Sequence, residues 1–277
     1  MQFSLPWQLV LLRWRIRQLQ YVSMHPIGFW RTTRRLKALQ TGCFKYLGNY
    51  LSLGMPIQDR GSALVSHYEI LNQRMPGLRS AVVDGGIQLW ERYVADDQPP
   101  LKIMLETAGR SMEGELQLRF IFCSTLFQVT FLLSEGTPFL VEEKTVLYIG
   151  GAQGGRGCRA EVREAAKYNG EISPADTLML VVEELVKLIR VEAMLGVSGE
   201  DHPSYYYAPS QIKPGYARLW DSAGAVKQGR YFRLPTSKPP RPLSSIPERH
   251  RARTKRKRVK KDLIRAEIHL RLSGLLK

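Results

Sequence analysis

The stretch Thr145-Val-Leu-Tyr-Ile-Gly-Gly-Ala-Gln-Gly-Gly-Arg-Gly-Cys-Arg-Ala-Glu-Val162 starts as an apolar run, places five glycines within the eight residues 150–157, and then becomes charged. An apolar run that breaks into glycines and resumes with helix-forming residues reads as strand, turn, helix, with the helix opening near Ala160. Glycines there free backbone amides, and Arg156 and Arg159 stand beside them. Amides at a helix start flanked by cations form an anion site. The same glycines fit a plain tight bend that lets helix and sheet approach closely. Two standard nucleotide loops are excluded. No Lys-Ser or Lys-Thr follows the last glycine, and Gly151, Gly154 and Gly157 lack the dinucleotide spacing.

Upstream of this stretch the period is two. Leu116, Leu118, Phe120 and Phe122 alternate with Glu115, Gln117 and Arg119, and the segment 126–133 continues into a further strand. Glu135-Gly-Thr-Pro138 turns the chain before the glycine strand, so the local arrangement predicts an antiparallel meander. Before it, Gly61 to Met75 predicts a helix ended by Pro76-Gly77.

Downstream, Ser173 to Leu195 is the longest helical pattern. Ser173 is its cap and Pro174 its first position, and its buried stripe runs Leu178, Val181, Val182, Leu185, Leu188, Ile189, Ala193 to a stop at Gly196. Tyr231 to Pro235 reads as a last strand. The fold class expected is α+β: a mostly antiparallel, mixed sheet with packed helices.

The formal net charge of the 277 residues is +16, and it sits at the ends. Residues 1–50 carry eight Lys/Arg and no acid, and residues 238–277 carry fourteen against three acids, leaving −3 for the middle. The organisation read from this is basic amphipathic N-terminal helices over 1–50 and a globular α/β body over 51–236. A Pro-rich linker over 237–248 and a basic C-terminal helix or tail over 249–277 follow. Ser245 is the expected cap of that last helix, with Pro247 at its first position.

Basic ends imply a polyanionic partner. The segment 7–22 sets Trp7, Leu11 and Trp14 on one helical face among arginines, as expected of a helix in a headgroup region, although such a stripe also fits packing on the protein's own body. Arg249 to Lys261 holds nine Lys/Arg in thirteen residues and no aromatic, which lacks stacking groups for single-stranded nucleic acid. An anionic membrane surface is therefore expected ahead of nucleic acid, with an acidic protein partner as the other option.

Phe120 to Leu133 is the longest uncharged apolar run and is too short to cross a bilayer as a helix. The apolar segment 3–12 precedes its arginines, the reverse of a signal peptide. Cys43, Cys123 and Cys158 are odd in number and dispersed, which disfavours a disulfide framework and a zinc site and fits a reducing compartment.

A second constellation is Glu200-Asp-His202, followed by Tyr205, Tyr206 and Tyr207. His202 between two carboxylates is a candidate general base with Glu200 beside it, and a solvated loop histidine fits the same residues. His67 reads as a packed or capping side chain. There is no GxSxG and no HExxH.

The ordered set "LYIGGAQGGRG", "VSGEDHPSYYY", "LWDSAGA" and "YFRLP" resembles the VirK/YbjX family of Gram-negative bacteria over roughly residues 60–262, most closely over 145–235. The resemblance implies a membrane-associated protein of unknown biochemical function, linked to virulence, surface display of an outer-membrane protein and resistance to antimicrobial peptides. It supplies no catalytic residues. The order strand, glycine loop, helix, final hairpin also resembles GCN5-related acyltransferases, whose pyrophosphate loop holds acyl-CoA. That resemblance implies an acyl-CoA site at Gln153, Gly154, Gly155, Arg156 and Gly157. The usual loop carries Gly three residues after the Gln, where this chain has Arg156. The location expected is cytoplasmic, peripheral at the inner membrane, with no metal.

Overall fold

The computed structural model describes residues 45–78, 85–94, 98–237 and 240–276. The N-terminal amphipathic helices and Cys43 lie outside these residues.

Eight strands form one sheet: β1 (Ile87–Arg92), β2 (Leu101–Thr107), β3 (Leu116–Phe122), β4 (Ser124–Ser134), β5 (Val146–Gly154), β6 (Ala193–Val197), β7 (Val226–Gln228) and β8 (Tyr231–Leu234). Their spatial order is β1-β2-β3-β4-β5-β6-β8-β7. Every pair is antiparallel except β5 with β6, which is parallel. The sheet is mixed and mostly antiparallel, and with the helices α1 (Ile57–Arg74), α2 (Arg159–Tyr168), α3 (Pro174–Ile189), α4 (Pro209–Ala223) and α5 (Glu248–Ser273) the class is α+β, as expected.

The alternation of β3 shows as burial of Leu116, Leu118, Phe120 and Phe122 with half-buried residues between. The last six residues of β4 are all buried. Helix α1 packs on β4, and α3 packs on β3, β4 and α5. Both faces of the centre of the sheet are thus covered, which is why Val146 to Gly151 read as an unbroken apolar and glycine run.

The helix expected over 173–195 is shorter. Ser173 caps it by accepting from Asp176 N at 3.0 Å, but it ends at Ile189, with Arg190 left-handed at φ 57°. Ala193–Val197 is a strand, fully buried, in register Val146 with Ala193 through Ile149 with Gly196. A strand buried on both faces has no alternation to show, so after an apolar helix its residues extend the helical stripe by period alone.

Glu248–Ser273 is one helix, with Pro247 rather than Ser245 at its cap position. Ser245 sits in the preceding 3₁₀ turn and donates to Pro242 O at 2.8 Å. Ile264, Ile268 and Leu272 are fully buried, and Arg265 pairs with Glu183 of α3 at 2.7 Å. Trp90 of β1 donates to Glu267 at 2.5 Å. One face of the C-terminal third of this basic segment is therefore part of the core.

His67 is buried on α1, where Nδ1 accepts Leu133 N at 3.0 Å. Burial holds its pKa down to about 4. An unfolded chain titrates its histidines at ~6.5. Between these values the native state binds fewer protons than the unfolded one. Stability from this group is full above ~6.5 and falls by about 3 kcal/mol as pH drops through 4. His67→Asn keeps an acceptor for Leu133 N, and its urea midpoint is expected to change less between pH 7 and 4.5 than that of the wild type. An unchanged pH slope would contradict the assignment.

Candidate functional site

The parallel pairing of β5 with β6 ends at Ile149 and Gly196, whereas β5 runs on to Gly154 along β4. Between Thr130 and Phe131 the β4 register shifts, leaving Gly150 as the extra residue of β5. The segment joining β2 to β3 crosses at this bulge. A Cβ on Gly150 would stand 2.0 Å from Glu113 O, and one on Gly151 1.9 Å from Glu113 Oε2. A side chain on Gly150 would displace the backbone of that crossing, and one on Gly151 would displace the Glu113 carboxylate. The two glycines thus seat the Glu113 carboxylate against β5.

Four side chains meet there. Glu113 Oε1 accepts from Gln153 Nε2 at 2.6 Å and lies 3.2 Å from His202 Nε2. His202 is 1 % exposed, and its Nδ1 accepts Ser204 N at 3.1 Å, so the neutral ring carries its proton on Nε2, facing Glu113. The Nε2 contact falls outside hydrogen-bond alignment, so this buried nitrogen has no aligned partner among the described residues. The Tyr216 ring lies 4.9 Å from that of His202, and its hydroxyl accepts Ala152 N at 3.0 Å. Burial first, and the charge of Glu113 second, push the Tyr216 hydroxyl pKa far up, so it stays protonated. Helix α4 brings Tyr216 here because Trp220, one turn on, packs over Gly196 and donates to Val197 O at 2.7 Å.

The glycine turn follows directly. Gln153, Gly154, Gly155, Arg156 and Gly157 are exposed, and Gly157 is left-handed at φ 75°. Helix α2 opens at Arg159, one residue before the position expected. Its first intrahelical bond runs from Val162 N to Cys158 O, and no side chain among the described residues caps it. The amides of Arg159, Ala160 and Glu161 thus precede the helical ladder. Arg156 and Arg159 make no ion pair among the described residues. A groove of about 580 Å³ opens beside the turn, lined by Leu126, Phe127, Val162, Pro174 and the glycines. The ends of β4 and β5 and the starts of α2 and α3 form its walls.

Glu200 stands elsewhere. It is exposed and pairs with Lys213 at 2.5 Å, an interaction that holds its carboxyl below the ordinary range. Tyr206 and Tyr207 face solvent. The carboxylate beside His202 is Glu113, and sequence reasoning passed over both it and Tyr216. Nothing local marks Glu113, since its position follows from the glycine bulge of a distant strand. Tyr216 carried a signal in its i, i+4 spacing to Trp220.

Chemically, the cluster combines a carboxylate that can accept a proton with an imidazole N–H and a phenol O–H that can donate hydrogen bonds. An uncapped helix start and two unpaired arginines lie next to it.

Residues 26–268 match the model of the family described as "Protein of unknown function (DUF535)". The chain belongs to this family. The matched span contains the whole sheet, Glu113, the glycine turn, His202 and Tyr216, together with most of α5. No curated protein and no solved structure matches the chain. Among the described residues no group of His, Cys, Asp and Glu could hold a metal ion, and no helix is long and apolar enough to cross a membrane.

Proposed function

We propose that this DUF535 protein is an acyltransferase of the VirK/YbjX type, using an acyl-CoA donor at the open end of the β5–β6 pair. On this reading it works from the cytoplasmic face of the inner membrane on envelope components, in support of envelope integrity, surface protein display or resistance to antimicrobial peptides.

The observation that carries the reading is the unpaired end of β5. There, among the bonds described, Ala152 N is held by a side chain, Tyr216, instead of a strand, next to the Glu113–His202 pair. A parallel pair that stops short, followed by a hairpin returning beside β6, is the arrangement expected of a GCN5-related acyltransferase, where the donor lies between the parallel strands. Gln153, Gly154, Gly155, Arg156 and Gly157 would hold the donor phosphates with the free amides of α2. The acceptor nucleophile gives its proton to the Glu113 carboxylate, which His202 Nε2 faces, and adds to the thioester carbonyl. As the C–S bond breaks, the leaving thiolate takes that proton from Glu113, while Tyr216 keeps its own. Glu200 has no part in this scheme.

Burial of His202 and Glu113 favours a second reading, a non-enzymatic adaptor that binds membrane or an acidic partner through its basic ends. A thermal-shift series with acetyl- and longer acyl-CoA separates the two. Ligand at a hundred times its Kd stabilises by about 2.7 kcal/mol, a rise of roughly 5–10 °C for a body of this size. No rise with any acyl-CoA would leave the adaptor.

A further inference from the structure

Helix α5 has two apolar faces. Ile264, Ile268 and Leu272 fill the core. On the opposite side Ala252, Val259, Leu263, Ala266 and Leu270 recur at intervals of three, four or seven residues, and so lie along one line of the helix. Val259, Leu263 and Leu270 are 55, 53 and 78 % exposed. Lys255, Arg256 and Lys260 flank this line, and with Ala252, Val259 and Leu263 they border a shallow depression of about 450 Å³. At 1.5 Å per residue the stripe is about 27 Å long.

We infer that this outward face of α5 lies in the headgroup layer of an anionic bilayer, with Val259, Leu263 and Leu270 inserted and the basic flanks on lipid phosphates. An apolar line bordered by lysine and arginine stems is the composition of an interfacial helix. A second copy of the same face would set its basic run against itself. A nucleic acid would engage the cations but leave three large aliphatic side chains against phosphate or water. Because the helix is anchored through Ile264, Ile268 and Leu272, its outward face is fixed relative to the sheet, and the plane of contact is set by the fold. The inference rests on the membrane-attachment part of the proposed function and is independent of acyl transfer.

Flotation of the full-length chain tests it, with vesicles of phosphatidylcholine alone and with about 30 % phosphatidylglycerol. The wild type is expected to float with the anionic vesicles only. Val259→Asp/Leu263→Asp and Lys255→Glu/Arg256→Glu should each lower partitioning at least about tenfold, with unfolding midpoints unchanged because all four residues lie off the core face. Full flotation of Val259→Asp/Leu263→Asp would overturn the face while leaving attachment intact. Failure of the wild type to float would overturn both. Tight binding to duplex DNA that only the charge variant weakens, without flotation, would assign the helix to nucleic acid instead.

Discussion

A chain ending at Lys261 is expected to lose its cooperative unfolding transition. The removed residues include Ile264, Ile268 and Leu272, all fully buried, and Arg265 and Glu267, which tie α5 to α3 and to Trp90 of β1. Truncating one such aliphatic side chain to Ala costs about 2–5 kcal/mol, and a whole domain has only about 5–15 kcal/mol to lose. Removing all three also bares the apolar surface of α3. Calorimetry or urea unfolding followed by circular dichroism would read this directly. Ile268→Ala alone should cost about 3 kcal/mol. If the chain ending at Lys261 melted within a few degrees of the full-length protein, the docking of α5 would be contradicted. Deletion of the basic C-terminus is accordingly a poor probe of membrane or partner binding, because it removes core.

Glu115→Ala carries the next largest expected effect. Glu115 begins the approach to β3 two residues after Glu113 and is buried, with Oε1 accepting from Lys45 Nζ at 3.0 Å and Tyr50 OH at 2.8 Å. Its Oε2 accepts from Tyr68 OH at 2.7 Å. Lys45 is equally buried, and its other bond described is to Gly114 O at 3.4 Å. Removing the carboxylate strands a buried ammonium and takes an acceptor from two phenols, a loss of about 3–5 kcal/mol in urea unfolding. Lys45→Met/Glu115→Gln, which removes both charges together, should be milder than Glu115→Ala. A cost below about 1 kcal/mol for Glu115→Ala would mean that the pair is not buried as described.

What the sequence disclosed follows the range of the interactions involved. Strands β3, β4 and β5 were legible because alternation and turn residues are local, and the Ser173 cap marked the start of α3. Strand β6 was not, since Ala193 to Val197 are buried on both faces and their apolar run continues the stripe of the preceding helix. The anchoring face of α5 was present as Ile264, Ile268 and Leu272 at intervals of four. It was masked by the charge around it, and the whole segment read as a basic helix or tail for a polyanionic partner.

The candidate site divides the same way. The glycine turn and His202 stood out by residue type, but Glu113 becomes a site residue only because a bulge at Gly150 lets a remote loop cross β5. Glu200 adjoins His202 in sequence, yet the loop turns it outward to Lys213. Nearest in sequence was not nearest in space.

Isothermal titration of the full-length protein with acyl-CoA, beside the Gly154→Asp variant, tests the acyl-donor site most directly. A Cβ on Gly154 meets nothing closer than 3.8 Å, so the fold accepts the substitution while a carboxylate enters the anion site. Saturable binding by the wild type, weakened at least about tenfold by Gly154→Asp through like-charge repulsion, is the predicted result. Absence of binding by the wild type, or equal binding by the variant, would contradict the acyl-donor site.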